Sequence, residues 1–372
     1  MIRTIRELLT FKRTPKINGE YFLSLSIGVA LALLVGAGIM LASGHNPIEG
    51  YGAMLSGALG SKRAIGDTLA KSATLCLTGL ATAVAAQAGI FNVGGEGQLY
   101  FGAMASALLG SALSGVSVVI ALPLCLMASM AAGGLWALIP AWLKVRLNVN
   151  EVITTIMLNS VAIYFCAFLS NGPLKTSERG IASGTARIDE SFAFSRVINL
   201  SNLTTSIFLS LAIALLVWYL MKRTTAGYEM KLTGENERFA YYMGIPTAQL
   251  MLMGMVISGA ICGLVGMFEV FGLHKRFIDS VSNEFYYDGM LVAMIMRYQP
   301  GGIILMSFFF AVLKIGGTGM EQMGIPSQTI LIVQSIIIFF MAAERGISES
   351  FRVRRAQHSA PDSDKRGVDA NE

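Results

Sequence analysis

The sequence predicts an all-α protein, a polytopic membrane helical bundle of about ten transmembrane segments with broken helices and both termini cytoplasmic. Three observations predict it. The 372 residues are 54% hydrophobic and only 14% charged, whereas soluble globular proteins carry about 25% charged residues. Several apolar runs reach about 20 residues, the length of helix that crosses a bilayer. Basic residues gather at the ends and in short polar stretches, so the net charge of +5 reads as membrane orientation rather than nucleic-acid binding.

Residues 1–20 form a basic tail (Arg3, Arg6, Lys12, Arg13, Lys16) that places the N-terminus in the cytoplasm. Tyr21 to Ser43 is a full apolar span. It exceeds the roughly 7–15 apolar residues of a secretory signal and is expected to be retained. Pro47 starts a short helix carrying Tyr51, Met54, Leu55 and Leu59, expected along the outer surface. Ile65 to Ala88 is the second span, and its Asp67 and Lys71 stand at i,i+4, where they could pair.

Gly89 to Gly102 then interrupts the apolar pattern with five glycines and with Asn92, Glu96 and Gln98. A broken backbone at membrane depth is tolerated only where protein or a wet cavity covers it. Two readings stay open: a broken helix that lines a substrate path, or a short cytoplasmic turn. Leu99–Leu113 and Val116–Leu143 supply two more crossings, the second with Pro123 and Pro140. Lys144 and Arg146 mark the turn before the span 150–168. That span presents Glu151, Thr154, Thr155 and Asn159 as a polar stripe, either for interhelical hydrogen bonds or for the path.

Residues 171–202 form a mixed-charge external loop, and Leu203–Met221 returns the chain to the cytoplasm at Lys222 and Arg223. The cytoplasmic loop 222–248 contains an amphipathic helix. Thr233 is the expected N-cap, Glu235 and Glu237 lie in the first turn, and Phe239, Tyr242 and Met243 share a face. Gly244 and Pro246 end it. So short a helix needs something to dock on, whether a partner, its own protein or lipid headgroups.

Leu250–Gly272 is a glycine-faced span suited to close packing. Asp288–Met296 is too short to cross unaided and is broken by Arg297–Gly302, a second interruption of the Gly89 kind. Gly302–Gly317 and Ile330–Ala343 complete the permease domain, 21–345. Residues 346–372 lack apolar partners and are expected to be a disordered cytoplasmic tail.

The chemistry available excludes several classes. Cys76, Cys125, Cys166 and Cys262 stand singly in apolar runs, and His45, His274 and His358 are far apart, so neither a metal site nor an enzyme nucleophile is expected. No phosphate-binding G-x-x-x-x-G-K-[ST] occurs, so any ATP is used elsewhere than on this chain.

Four stretches, taken in order, carry a resemblance: GIFNVGGEGQ (Gly89–Gln98), LNVNEVITTIMLN (Leu147–Asn159), GENERFAYYMGI (Gly234–Ile245) and YYDGMLVAMI (Tyr286–Ile295). They resemble permeases of ABC importers for ribose-type sugars and nucleosides. The first two are most similar to the longer permease subunit of bacterial nucleoside importers. The likeness runs from about Pro47 to Ala343. It departs at the segment after Tyr286, where Met290, Met294, Met296, Arg297 and Tyr298 replace the usual small residues.

The resemblance implies a multi-pass subunit of the bacterial inner membrane, not an enzyme, that imports a nucleoside or related sugar. It implies a second permease in a heterodimer, cytoplasmic ATPase subunits that use ATP and magnesium, and an extracytoplasmic substrate-binding protein. No cofactor is expected on this chain. The coupling residues it implies are Gly234, Glu235, Asn236, Phe239, Ala240, Tyr242 and Gly244. The candidate pathway residues are Asn92, Glu96, Gln98, Asn159 and Asp288, whose amides and carboxylates suit ribose hydroxyls or base edges. The alternative is an ion-coupled secondary transporter with Glu96 or Asp288 as its proton site.

Overall fold

The computed structural model describes residues 19–176, 184–326, 328, 330–336 and 338–339. Residues 1–18 of the expected tail 1–20, the whole expected tail 346–372 and part of the last expected span lie outside the described residues, and Gly19 and Glu20 already belong to the first helix. The described chain is helical, and its one β element there is the isolated bridge between Arg196 and Thr204.

Six helices are long and apolar enough to cross a bilayer, or up to seven if Ser26–Ala42 and Pro47–Leu59 count as one broken span. In chain order the helices are α1 Gly19–Ala42, α2 Pro47–Leu59, α3 Lys62–Gln87, α4 Gly95–Ala112, α5 Val118–Leu147 and α6 Glu151–Asn171. They continue as α7 Ser206–Arg223, α8 Thr225–Glu235, α9 Glu237–Tyr242, α10 Thr247–Glu269, α11 Phe285–Ile295 and α12 Pro300–Gln322. Local chemistry starts them where it should. Ser61 accepts from Ala64 N at 3.0 Å to cap α3, and Asn150 accepts from Val152 N at 2.9 Å to cap α6. Lys144 and Glu151 close the α5–α6 turn with a 3.0 Å ion pair.

The chain divides into two compact units. In the smaller, which holds 19–51 among its described residues, the Tyr51 hydroxyl donates to Leu33 O at 2.7 Å. The larger covers Gly52–Gln322. Its central member is α10, packed against α3, α4 and α5. Its apolar window is 72% buried, against 22% for the peripheral α6. The glycine faces explain this centrality: a Cβ on Gly133 of α5 would lie 3.0 Å from the Cα of Gly263. The two backbones therefore approach as only small residues permit. Helices α11 and α12 both lean on α3.

The segment 184–205 and the segment that follows α10 are joined by main-chain bonds. Thr185 N donates to Phe277 O at 3.1 Å, Ile188 N to Lys275 O at 3.0 Å and Phe194 N to Phe271 O at 3.0 Å. Asp279 accepts from Ser170 Oγ at 2.5 Å and Asn171 Nδ2 at 2.7 Å, fastening the later loop to the end of α6.

Two local expectations are corrected. Asp67 does not pair with Lys71. Its carboxylate faces Arg63 at 3.8 Å and accepts from Asn202 N at 2.6 Å and Ser201 Oγ at 3.1 Å, because the turn before α7 supplies better donors. Lys71 instead places its ammonium 3.3 Å from the ring centroid of Phe285.

Nor does Thr233 cap a helix. Thr233 is buried and donates back to Glu229 O at 2.9 Å within α8. The cap is Asn236, whose extended backbone separates α8 from α9 and whose Oδ1 accepts from Phe239 N at 3.0 Å. The single expected helix is therefore two. The stop is as expected: Gly244 has φ +81°, with Ile245 N bonded to Ala240 O at 3.0 Å.

Candidate functional site

The break between α3 and α4 is held by a buried network of hydrogen bonds. α3 ends on Gly89 (φ +84°), with Gly89 N bonded to Ala86 O at 3.2 Å and Ile90 N to Ala85 O at 3.2 Å. Asn92 then turns inward. Its Oδ1 accepts from Gly94 N at 2.9 Å, and its Nδ2 donates to Gln98 Oε1 and to Ser258 Oγ of α10, each at 2.9 Å. From α6, Asn159 Oδ1 accepts from Gly97 N at 2.8 Å, while its Nδ2 donates to Val93 O at 2.8 Å and to the Tyr287 hydroxyl at 3.0 Å. From α11, Tyr286 N donates to Glu96 Oε2 at 3.2 Å and the Tyr286 hydroxyl to Asn92 O at 2.5 Å.

Asn92, Glu96, Gln98 and Asn159 are thus brought together, and all four are buried. The backbone groups that the break exposes are satisfied by side chains from α6 and α11, which is what a non-helical segment at membrane depth requires. The amides of Asn92, Gln98 and Asn159 are engaged within the protein.

Asp288 lies apart from that knot, two residues along α11 from Tyr286. It forms an ion pair with Lys314 of α12 at 2.8 Å, without hydrogen-bond geometry. Around it stand Lys71 over Phe285, and Glu269 at the end of α10, which accepts from Thr74 Oγ1 at 3.2 Å. Sequence reasoning misses Lys314 and assigns Lys71 elsewhere. The signal was present: each ionisable residue in an apolar run costs about 2.5–3.5 kcal/mol on insertion scales, which makes it a functional candidate by default.

The segment α8–α9 is the third part. Ala240 is buried, while Tyr241, Tyr242 and Met243 are 68%, 73% and 66% exposed. Gly234 seats the segment against the body: a Cβ there would lie 2.5 Å from Gln87 O. A helix of this length is anchored on one side and offers an aromatic patch on the other.

Fold and site together define a multi-pass helical membrane protein with a buried polar core and an exposed aromatic patch on a short helix. The family described as branched-chain amino acid transport system / permease component matches residues 64–342, and the chain belongs to it, as a membrane permease subunit of an ABC transporter rather than an enzyme. It is 34% identical over 328 residues to the guanosine ABC transporter permease protein NupP of Bacillus subtilis, covering 86% of this chain and 93% of the relative. It is 33% identical over 327 residues to the nucleoside ABC transporter permease protein NupB of Lactococcus lactis (86% and 90%). It is 30% identical over 359 residues to the glucose ABC transporter permease protein TsgB13 of Haloferax volcanii (92% and 90%). No solved structure matches the chain.

Proposed function

We propose that this permease imports a nucleoside, or a related sugar, across the bacterial inner membrane, driven by ATP that separate subunits hydrolyse with magnesium. The chain itself binds no cofactor. It pairs with a second, related permease as a heterodimer, and an extracytoplasmic binding protein delivers the ligand to the outer loops. In this reading the membrane segments number about ten, counting α4, α11 and the end spans that fall short of a full crossing or lie partly outside the described residues. Both termini are cytoplasmic. The substrate class is supported by the names of two relatives at 33% and 34% identity.

The observation that carries the coupling reading is the exposed Tyr241–Met243 patch on a helix whose other side is anchored by Ala240 and Gly234. Gly234, Glu235, Asn236, Phe239, Ala240, Tyr242 and Gly244 form the piece that the ATPase moves. Asn236 and Gly244 set its ends, Gly234 and Ala240 seat it, and Phe239 and Tyr242 face the partner. Glu96 and Asp288 contribute to the translocation path beside Lys71 and Lys314, and Asn92, Gln98 and Asn159 hold the broken segment that shapes it.

Replacing Tyr241 and Tyr242 together with Asp tests this. Both side chains are exposed, so folding should survive. The ATPase subunits should no longer co-purify, and uptake should stop. Retained ATPase with normal uptake would refute the docking reading. A screen of nucleosides against sugars on the assembled transporter fixes the substrate. The ion-coupled alternative requires uptake that follows a proton gradient without ATP.

A further inference from the structure

We infer that Gln87, the last residue of α3, transmits movement of the α8–α9 segment to α11, and so is a positioning residue for transport. The inference rests on the reading that α8–α9 receives the ATPase. Three contacts converge on Gln87 and the turn that follows it.

The first is from the coupling side. Gly234 packs on the main chain of Gln87 with no room for a methyl group: a Cβ would stand 2.5 Å from Gln87 O and 3.1 Å from Ala86 O. Backbone against backbone leaves no flexible side chain to absorb a shift. Displacement of the end of α8 therefore displaces the end of α3.

The second is the Gly89 turn that follows at once. A Cβ on Gly89 would lie 3.3 Å from Thr233 O, so the start of the break moves with the same segment.

The third leads outward to α11. The Gln87 side chain reaches across to the next interruption, donating from Nε2 to Tyr298 O at 2.7 Å. That turn is unusual. Arg297 N bonds Met294 O at 3.1 Å and Tyr298 N bonds Ala293 O at 2.8 Å, the same helix-ending pattern that closes α3 and α9. There the left-handed residue is Gly89 or Gly244. Here Arg297 (φ 52°) and Tyr298 (φ 58°) are both left-handed and neither is glycine. Two consecutive such residues persist only where surrounding contacts hold them, and such strain concentrates at switching segments. Gln87 supplies one of those contacts. From this turn α11 is eleven residues long and carries Tyr286 and Asp288 at its other end. A shift at its base therefore reaches both the knot at Asn92 and the Lys314 ion pair.

The bland account is that Gln87 only satisfies a carbonyl. The two differ in what they do to coupling. The test uses the full transporter, with its ATPase and binding protein, reconstituted in liposomes, and reads uptake per ATP hydrolysed. Gln87→Met keeps the shape and removes the donor. The ATPase should still co-purify and still hydrolyse ATP, while uptake per ATP falls about tenfold or more. Gln87→Lys, which regains a donor, should recover part of the loss. Gly234→Ala should lower the same ratio, and the double variant should be no worse than the poorer single, since both act on one route.

Unchanged uptake per ATP in an intact Gln87→Met assembly overturns the proposal alone. So does an assembly failure in Gln87→Met accompanied by a normal ratio in Gly234→Ala. A wild-type chain that retains no ATPase overturns the docking reading and this proposal with it.

Discussion

The hydroxyl of Tyr286 donates to the main-chain carbonyl of Asn92 at 2.5 Å, and through that bond α11 holds the break between α3 and α4. Thr82 Oγ1 lies 3.2 Å from the Tyr286 hydroxyl oxygen. Tyr286→Phe removes one atom and leaves a buried carbonyl without this donor. The expected cost is about 1–3 kcal/mol, read as a lowered melting temperature of the purified protein in detergent. An unchanged midpoint would mean that water replaces the hydroxyl and that the break is wet.

That knot shows what the sequence carries and what it does not. The glycines of 89–97 announce a break, and the apolar runs announce helices, because both are local properties. The partners of the break are not local. Tyr286 lies 194 residues from Asn92, and no periodicity joins them. Spacing misleads where tertiary donors compete: Asp67 and Lys71 stand one helical turn apart, yet the amide of Asn202 captures Asp67. Thr233 and Asn236 are both good capping residues by type. Only the burial of Thr233 against the bundle decides for Asn236.

Gly95 is where the Tyr286 ring rests: a Cβ added there would overlap the Cε2–Cδ2 edge of the ring. Gly95→Ala must push the ring off the break, at about 3 kcal/mol or more, the upper end of overpacking costs. Gly52, in the interior of α2, has nothing within 4 Å of its virtual Cβ. Gly52→Ala should stabilise by about 0.5–1 kcal/mol, because alanine loses less backbone entropy. Thermal unfolding of the two variants beside wild type should therefore move in opposite directions.

Asp189, just before the 190–192 turn, gathers donors. Its Oδ1 accepts from Ser191 N at 2.9 Å and Ser191 Oγ at 2.8 Å, and its Oδ2 from Ser114 Oγ at 3.2 Å. These bonds, the main-chain one from Ser191 first, hold its carboxyl below the usual aspartate value. A carboxyl lowered in the folded state stabilises above its unfolded value, and that contribution is lost as pH falls through the lowered one. The 189–193 turn should thus stay closed at neutral pH and open on acidification. Hydrogen exchange of the Ser191 amide against pH checks this, and Asp189→Asn should remove the acid-dependent part.

Asp288 and Lys314 form the ion pair between α11 and α12, and its two halves should behave unequally from the pair. Asp288→Asn leaves an ammonium at membrane depth without its counter-charge. Central charges cost about 2.5–3.5 kcal/mol on insertion scales, but the Lys314 side chain keeps 32% exposure, so a loss of about 1–3 kcal/mol is expected. Lys314→Met leaves the better-buried carboxylate, 10% exposed, and should cost at least as much. Replacing both by Leu removes charge and partner together and should recover most of the stability. Uptake separates structure from transport. If the pair only ties α11 to α12, the Leu–Leu variant transports as wild type. If it lines the path, that variant folds but imports poorly, and the exchanged pair, Asp288→Lys with Lys314→Asp, restores stability without restoring uptake.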